Sequence, residues 1–246
     1  MCIGALDGKH IRIQPPANSG SVYYNYKNTF SIVLMALVDS GYRFLYCDVG
    51  CNGRVSDGGV FGECSLNKAL VSKLINLPEP QVLSGTQSKI NYHIIADDAF
   101  PLRDDIMKPF SSRQLTVEQR IFNYRLSRAR RVVENAFGIM ANRFRIFLTT
   151  IDLSPEKVKL IVLASCALHN YLMGSADRQY LYPGLLDTED QATHQINSGS
   201  WRQQQMESVG LPHNKNPRVD AKLKRQHLCE YFVSPEGAVE WQLNMI

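Results

Sequence analysis

The run from Phe30 to Val38 constrains this chain more than any other segment. It is apolar almost without interruption and ends at Asp39-Ser40-Gly41. A run of this kind reads as a strand covered on both faces rather than one with a wet side. Its sheet therefore needs a layer on each side. Asp39 to Gly41 turns the chain, and Phe44 to Gly50 returns as a hairpin partner. Upstream, Cys2 to Leu6 is a buried strand ending in Asp7-Gly8, with Ile11 to Ile13 as a short continuation before Pro15-Pro16 stops it. Three strands joined by turns make an antiparallel start.

The pattern then changes period. Gly50 to Gly59 is rich in Gly, Asn and Asp and reads as loop, and Leu66, Ala69, Leu70, Leu74 and Leu77 fall at helical spacing. Pro78 to Gln87 is loop, and Tyr92 to Ala96 is a short apolar strand ending in Asp97-Asp98. A strand reached through a helical crossover runs parallel to its neighbour. From Val117 to Phe147 the apolar positions Ala129, Val132, Val133, Ala136, Phe137, Met140 and Phe144 share one helical face. Pro155, just inside a Ser154 cap, opens a further helix to Met173. The expected class is α/β, a mixed sheet flanked by helices. Residues 1–173 form the domain, 174–217 a flexible, poorly ordered polar segment, and 218–246 a short helical tail with Arg218, Lys222, Lys224 and Arg225. An apolar strand starting at residue 2 has no lead-in, which suggests that the domain is truncated at its N-terminus.

Charge matters here by its placement. The 246 residues carry 27 Lys and Arg against 23 Asp and Glu, a formal +4 that by itself announces no nucleic-acid partner. Yet from Arg120 to Arg145 there are seven arginines, no lysine, and Glu134 as the single acid. Six scattered cysteines fit reduced thiols in an intracellular protein. Cys47, Cys51 and Cys64 lack the second close pair or spaced His of a zinc site. No apolar run approaches the roughly 18 residues of a membrane helix.

Three acids sit where chemistry would want them. Asp7 and Asp97 end strands expected to be neighbours, and carboxylates at one sheet edge lie where ligands of open sheets bind. Glu134 lies on the long helix. Clustered carboxylates repel one another, and a hard cation such as Mg²⁺ or Mn²⁺ relieves that repulsion. Two such ions support phosphodiester transfer without a covalent nucleophile. Taken singly, the two aspartates are ordinary turn formers and Glu134 an ordinary solvated helix position. In its arginine field Glu134 is either an ion-pair hub or a metal ligand beside a phosphate-binding surface formed by Arg128, Arg130, Arg131 and Arg143. His10 reads as structural, and His169-Asn170 as a polar pair bonding neighbouring backbone.

Several blocks, in order, resemble the DDE superfamily endonuclease domain of Harbinger (PIF-type) transposases and the nucleases derived from them. Gly4 to Ile11, with Asp7-Gly8-Lys9-His10, resembles the family's Asp-Gly-Thr-His opening; Tyr24-Asn25-Tyr26-Lys27 its next block; and Gly53-Arg54-Val55-Ser56-Asp57 its Gly-Ser-x-His-Asp block. Ala96-Asp97-Asp98-Ala99-Phe100-Pro101-Leu102 resembles Gly-Asp-x-Gly-Tyr-Pro-Leu. Phe122-Asn123, Ala129 to Gly138 and Arg143-Phe144-Arg145 are close to the signature helix, and Leu168-His169-Asn170 fits the helix after it. Ala96 and Ala99 replace both glycines of the Asp97 block, and Ser56 replaces the His before Asp57.

The resemblance covers residues 1 to about 173. It implies a ribonuclease-H-like fold in which Asp7, Asp97 and Glu134 are the catalytic, metal-binding triad for Mg²⁺ or Mn²⁺, with Asp57 as a fourth ligand or a support. Asp98, one residue on, would face the opposite side of a strand. It further implies a DNA endonuclease of transposase origin in the nucleus or also the cytoplasm, free of membrane. Self-association is compatible with that reading, and so is a separate Myb-like DNA-binding partner. The rival expectation is a domesticated, catalytically silent DNA- or protein-binding module on the same fold.

Overall fold

The structure, a computed structural model, describes residues 1–174, 180–209 and 217–246, and Asp57 by its backbone alone. The chain opens with strands β1 (Cys2–Arg12), β2 (Ser31–Val38) and β3 (Phe44–Asn52), then helices α1 (Asp57–Glu63) and α2 (Ser65–Val71). A two-strand hairpin, β4 (Gln81–Val82) and β5 (Lys89–Ile90), precedes β6 (His93–Ile95) and β7 (Ile106–Met107). Helix α3 (Val117–Arg143), a 3₁₀ turn (Arg145–Leu148) and α4 (Pro155–Gly174) follow. A second small hairpin, β8 (Thr188–Glu189) with β9 (Ile196–Asn197), leads to β10 (Glu207–Ser208) and α5 (Val219–Tyr231).

The main sheet runs β3-β2-β1-β6-β7. β2 is antiparallel to β1 and β3, while β1, β6 and β7 run parallel, so the sheet is mixed as expected. Every residue of β2 is buried. Its alternate side chains enter two cores: Ile32, Leu34, Ala36 and Val38 meet α3 and α4, and Val33, Met35 and Leu37 meet α1 and α2. Helices on both faces of a mixed sheet give the ribonuclease-H-like α/β class. Among the described residues no helix is long and apolar enough to cross a membrane.

Helix α3 begins at a capping box, Thr116 with Gln119, that satisfies two of the N–H groups a helix start leaves unpaired. It buries Val133, Ala136, Phe137 and Met140. The chain leaves α-helical geometry at Phe144, short of the expected Phe147. Other boundaries also differ. The strand expected to end at Asp7-Gly8 runs unbroken to Arg12, because β2 pairs with it along its length, so Asp7 lies within β1 rather than at its end. The Gly-rich stretch expected as loop already starts α1 at Asp57, capped by the Ser56 side chain and anchored by buried Val60 and Phe61. The helical run expected to reach Leu77 stops at Val71, leaving Leu74 exposed.

The largest departure lies after residue 174. Residues 175–179 and 210–216 fall outside the described residues, but 180–209, expected as flexible, lies packed on α3. Tyr180, Leu185 and Trp201 bury themselves against Ile139. Trp201 Nε1 donates to Asn135 Oδ1 at 2.8 Å. Gly138 makes this possible, because a Cβ there would lie 2.3 Å from the indole. β10 then pairs with β1 at Lys9 and His10, continuing the edge that β6 occupies at Cys2 and Ala5. Gly138→Ala is therefore expected to destabilise the protein by about 1–3 kcal/mol through overpacking, measured by urea or thermal unfolding. An unchanged midpoint would show that the indole does not hold this position.

Candidate active site

Strand alternation decides where the acids point. Ala5 of β1 pairs with Ile95 of β6, and both enter the core shared with α3. Side chains repeat every second residue along a strand, so Asp7 and Asp97, each two residues further on, emerge on that same face of adjacent parallel strands. Asp7 is 3% exposed. Asp97 lies just past β6 and its Oδ1 accepts from Ala99 N at 2.9 Å, so it also makes the turn expected of an Asp there. Burial and then the neighbouring Asp7 push the Asp97 carboxyl above its ordinary value, while Arg130 pulls it back. Asp98 turns aside, its Oδ1 2.9 Å from Lys108 Nζ.

Glu134 reaches the same side of the sheet from α3 but stands among cations. Its Oε1 is 3.8 Å from Arg130 Nη2, one helical turn back, and its Oε2 accepts from Arg202 Nη2 at 3.2 Å. Arg130 thus lies beside both Glu134 and Asp97, and its buried Nε has no acceptor among the described residues. Arg202 is fixed by Asp187, with Nη2 to Oδ2 at 2.6 Å and Nε to Oδ1 at 2.9 Å. Its guanidinium also lies 4.4 Å from the Trp201 ring. Burial would raise the Asp187 carboxyl, but the Arg202 hydrogen bonds and the Gly199 N–H hold it below the usual range.

Asp7 has a cation of its own. Lys9 is nearly buried, its Nζ 3.4 Å from Asp7 Oδ2, 2.6 Å from Ser208 Oγ on β10, and 5.6 Å from the centre of the Phe137 ring. Among the described residues no three Asp, Glu, His or Cys side chains stand close enough to hold a metal ion. The structure therefore brings Asp7 and Asp97 together and keeps Glu134 one arginine away. The side chain of Asp57 lies outside the described residues. The pair that does assemble is oxygen-only and mutually repulsive, which is the chemistry a hard divalent cation fits.

The arginine field has a different role from an open phosphate-binding rank, and that expectation is revised. Arg128 grips both oxygens of Glu189 at 2.8 Å and lies over Trp241, and Arg131 is 3.8 Å from Glu189. Arg143 lies over the Tyr180 ring, and Arg125 donates to Gly237 O. Most of the field fastens the C-terminal segments to α3. Arg130 alone of the four lies against the acids.

The structural readings of the histidines hold. His10 points to the opposite face, its Nδ1 2.8 Å from Ser31 Oγ, and burial with Lys27 and Lys9 nearby pushes its imidazole down to about 4. His169 bonds Tyr180 OH and Tyr42 O, and Asn170 bonds both backbone groups of Phe44. All six cysteines are free thiols. Sequence reasoning missed Lys9, Asp187 and Arg202. The one signal for Arg202 was its place beside a lone Trp in a polar stretch.

Comparison with known proteins identifies the family. The family model described as DDE superfamily endonuclease matches residues 6–170. "Protein ALP1-like" of Arabidopsis thaliana is 29% identical over 181 residues, 72% of this chain and 44% of that protein. "Putative nuclease HARBI1" of Homo sapiens and that of Bos taurus are each 26% identical over 171 residues, 68% of this chain and 45% of theirs. The chain thus spans less than half the length of these relatives. No solved structure matches it. With its family model matched from the first strand to the fourth helix and Asp7 and Asp97 paired on one sheet face, the chain belongs to the DDE superfamily endonuclease family.

Proposed function

We propose that this chain is a divalent-metal-dependent endonuclease of transposase origin that cuts DNA phosphodiester bonds. The observation that carries the reading is the Asp7–Asp97 pair, side by side on parallel strands and facing the helix that bears Glu134. Asp7 and Asp97 would hold Mg²⁺ or Mn²⁺, and Glu134 would join them once released from its arginines. Bound there, the ions supply charge neutralisation at phosphate and an activated water or 3′-hydroxyl. The chain's own groups do the rest. Burial within β1 keeps water from Asp7, Ala99 N–H orients Asp97, and the Arg130 guanidinium stands beside Glu134 and Asp97, placed to answer negative charge next to the acids. A DNA substrate makes the nucleus the expected compartment, with target choice left to a separate DNA-reading partner.

A second reading has its own observation. Lys9 sits on Asp7 and Arg202 on Glu134, so the acids are already neutralised from within, as a catalytically silent binding module would have them. Plasmid nicking in Mg²⁺ and in Mn²⁺ separates the two. The wild type is expected to nick, and Asp7→Asn, Asp97→Asn and Glu134→Gln each to lose at least roughly 100-fold, since even loss of an outer-shell partner of a metal ligand costs 10- to 100-fold. Equal DNA binding without nicking by any of them would establish the silent module.

The raised Asp97 carboxyl gives a readout that needs no activity. The folded state keeps this proton to higher pH than the unfolded chain, so ionisation opposes folding as pH rises above the ordinary 3.8. Asp97→Asn should therefore melt a few degrees higher than wild type at pH 7, and the gain should vanish on acidification below that value. Mn²⁺ should raise the melting temperature of the wild type and leave that of Asp97→Asn nearly unchanged. Identical Mn²⁺ responses would argue against a metal site at the pair.

A further inference from the structure

Four features converge on Arg202. Its guanidinium is oriented by a carboxylate, Asp187, whose side chain is only 1% exposed. Its flat face rests on Trp201, itself seated in the notch that Gly138 leaves in α3. The loop that carries it is drawn tight at Gly199, whose N–H donates to Asp187 Oδ1 at 2.8 Å and whose missing Cβ would meet Leu185 O at 2.2 Å. Finally, Nη2 bridges Asp187 and Glu134, and Nε goes to Asp187, so these two nitrogens carry every hydrogen bond found for the Arg202 side chain among the described residues. Its third nitrogen, Nη1, is left for another acceptor, and about a third of the side chain is open to solvent.

Such an arrangement exceeds what neutralising Glu134 requires. A lysine or a mobile arginine would serve for charge alone. Holding a guanidinium by a buried Asp on one edge and an indole on one face fixes the direction of the remaining edge, which is how a planar fork is prepared for a tetrahedral oxyanion. Across Glu134 stands Arg130, whose buried Nε likewise lacks an acceptor among the described residues. The two arginines flank one carboxylate from different parts of the chain, Arg202 about a third exposed and Arg130 with its unpaired Nε buried.

We propose that Arg202, with Arg130 opposite, is a phosphate-contacting residue of this site, gripping the DNA backbone next to the bond that Glu134 helps to break. The segment 180–209 is on this view part of the active site, brought back to α3 to deliver one fixed guanidinium. The proposal rests on the nuclease reading for the identity of the scissile bond, but its test has a readout independent of cleavage.

The test measures affinity of the full chain for a DNA duplex in Ca²⁺, without turnover, as salt is raised from about 50 to 200 mM. Arg202→Ala should weaken binding roughly 3- to 10-fold at the low end and reduce the slope of log K against log salt by about 1, the signature of one lost phosphate contact. Arg202→Lys should keep the slope, having kept the charge, and Asp187→Asn should keep the slope while slowing Mn²⁺-dependent nicking, because the guanidinium is no longer aimed. A wild-type slope in Arg202→Ala, whatever its melting temperature, overturns the proposal and leaves Arg202 a structural partner of Glu134. Should Arg202→Ala fail to fold, Arg202→Gln, which retains a donor for Asp187, is judged by the same slope. Wild type that binds DNA but never nicks sinks the nuclease reading while the slopes still decide Arg202; wild type that binds no DNA sinks both.

Discussion

The parallel pairing of β1 with β6 is the constraint from which both the core and the candidate site follow. Ala5 and Ile95 face α3 because the apolar sets of both strands must be buried on the correct side, and a slip of one residue would turn every side chain over. The same parity carries Asp7 and Asp97 to that face. The protein thus cannot bury its central strands correctly without bringing two carboxylates together. Burial and mutual repulsion are the cost at this edge, registered in the raised Asp97 carboxyl. Functional sites are where such local conflicts between stability and placement are expected.

The cations around the acids come from three sources. Lys9 is on β1 itself, Arg130 on α3, and Arg202 on the returning segment near β10. The segment is in turn retained by the arginines of α3, since Arg128 grips Glu189 with both prongs and Arg131 stands close by. Partly exposed pairs of this type contribute only about 1 kcal/mol each. The larger anchor is apolar: burying Trp201, Tyr180 and Leu185 against Ile139 is worth roughly 1.5–3 kcal/mol per side chain relative to exposure. The arginines then fix orientation more than they add stability.

What was legible in the sequence were the features with short periods. The doubly buried β2, the antiparallel start, the parallel β6, the α3 face and the start of α4 at Pro155 all follow from patterns within about twenty residues, and so does the end of β6 just before Asp97, whereas Asp7, expected at a strand end, lies inside β1. The returning segment was illegible for a physical reason. Its strands are two residues long, too short for any alternation, and its contacts with the domain, such as the indole fitting a glycine notch, join residues some sixty or more positions apart. The acids answering the arginine field, Glu189 and Asp187, lie equally far from it, so Glu134 looked like the field's only counter-charge. The family resemblance stopped near residue 173 and gave no help beyond it.

The charge balance at the site links metal and substrate. Asp7, Asp97 and Glu134 face Lys9, Arg130 and Arg202, three groups of each sign, and Asp187 adds a fourth acid that shares Arg202 with Glu134. At 3.4 Å and an effective dielectric of about 20, Lys9 attracts Asp7 by about 5 kcal/mol before desolvation is subtracted, and a dication at similar range would attract it about twice as strongly. A metal ion entering alone must overcome that attraction and also the repulsion of three resident cations. A DNA phosphate reverses the second term, because its negative charge draws Arg130 and Arg202 toward itself and leaves Glu134 oxygens unpaired. On the nuclease reading, metal and DNA therefore bind better together than either does alone, consistent with the habit of Mg²⁺ of completing its shell with substrate phosphates. On the silent reading the internal cations suffice, and DNA gains nothing from the metal.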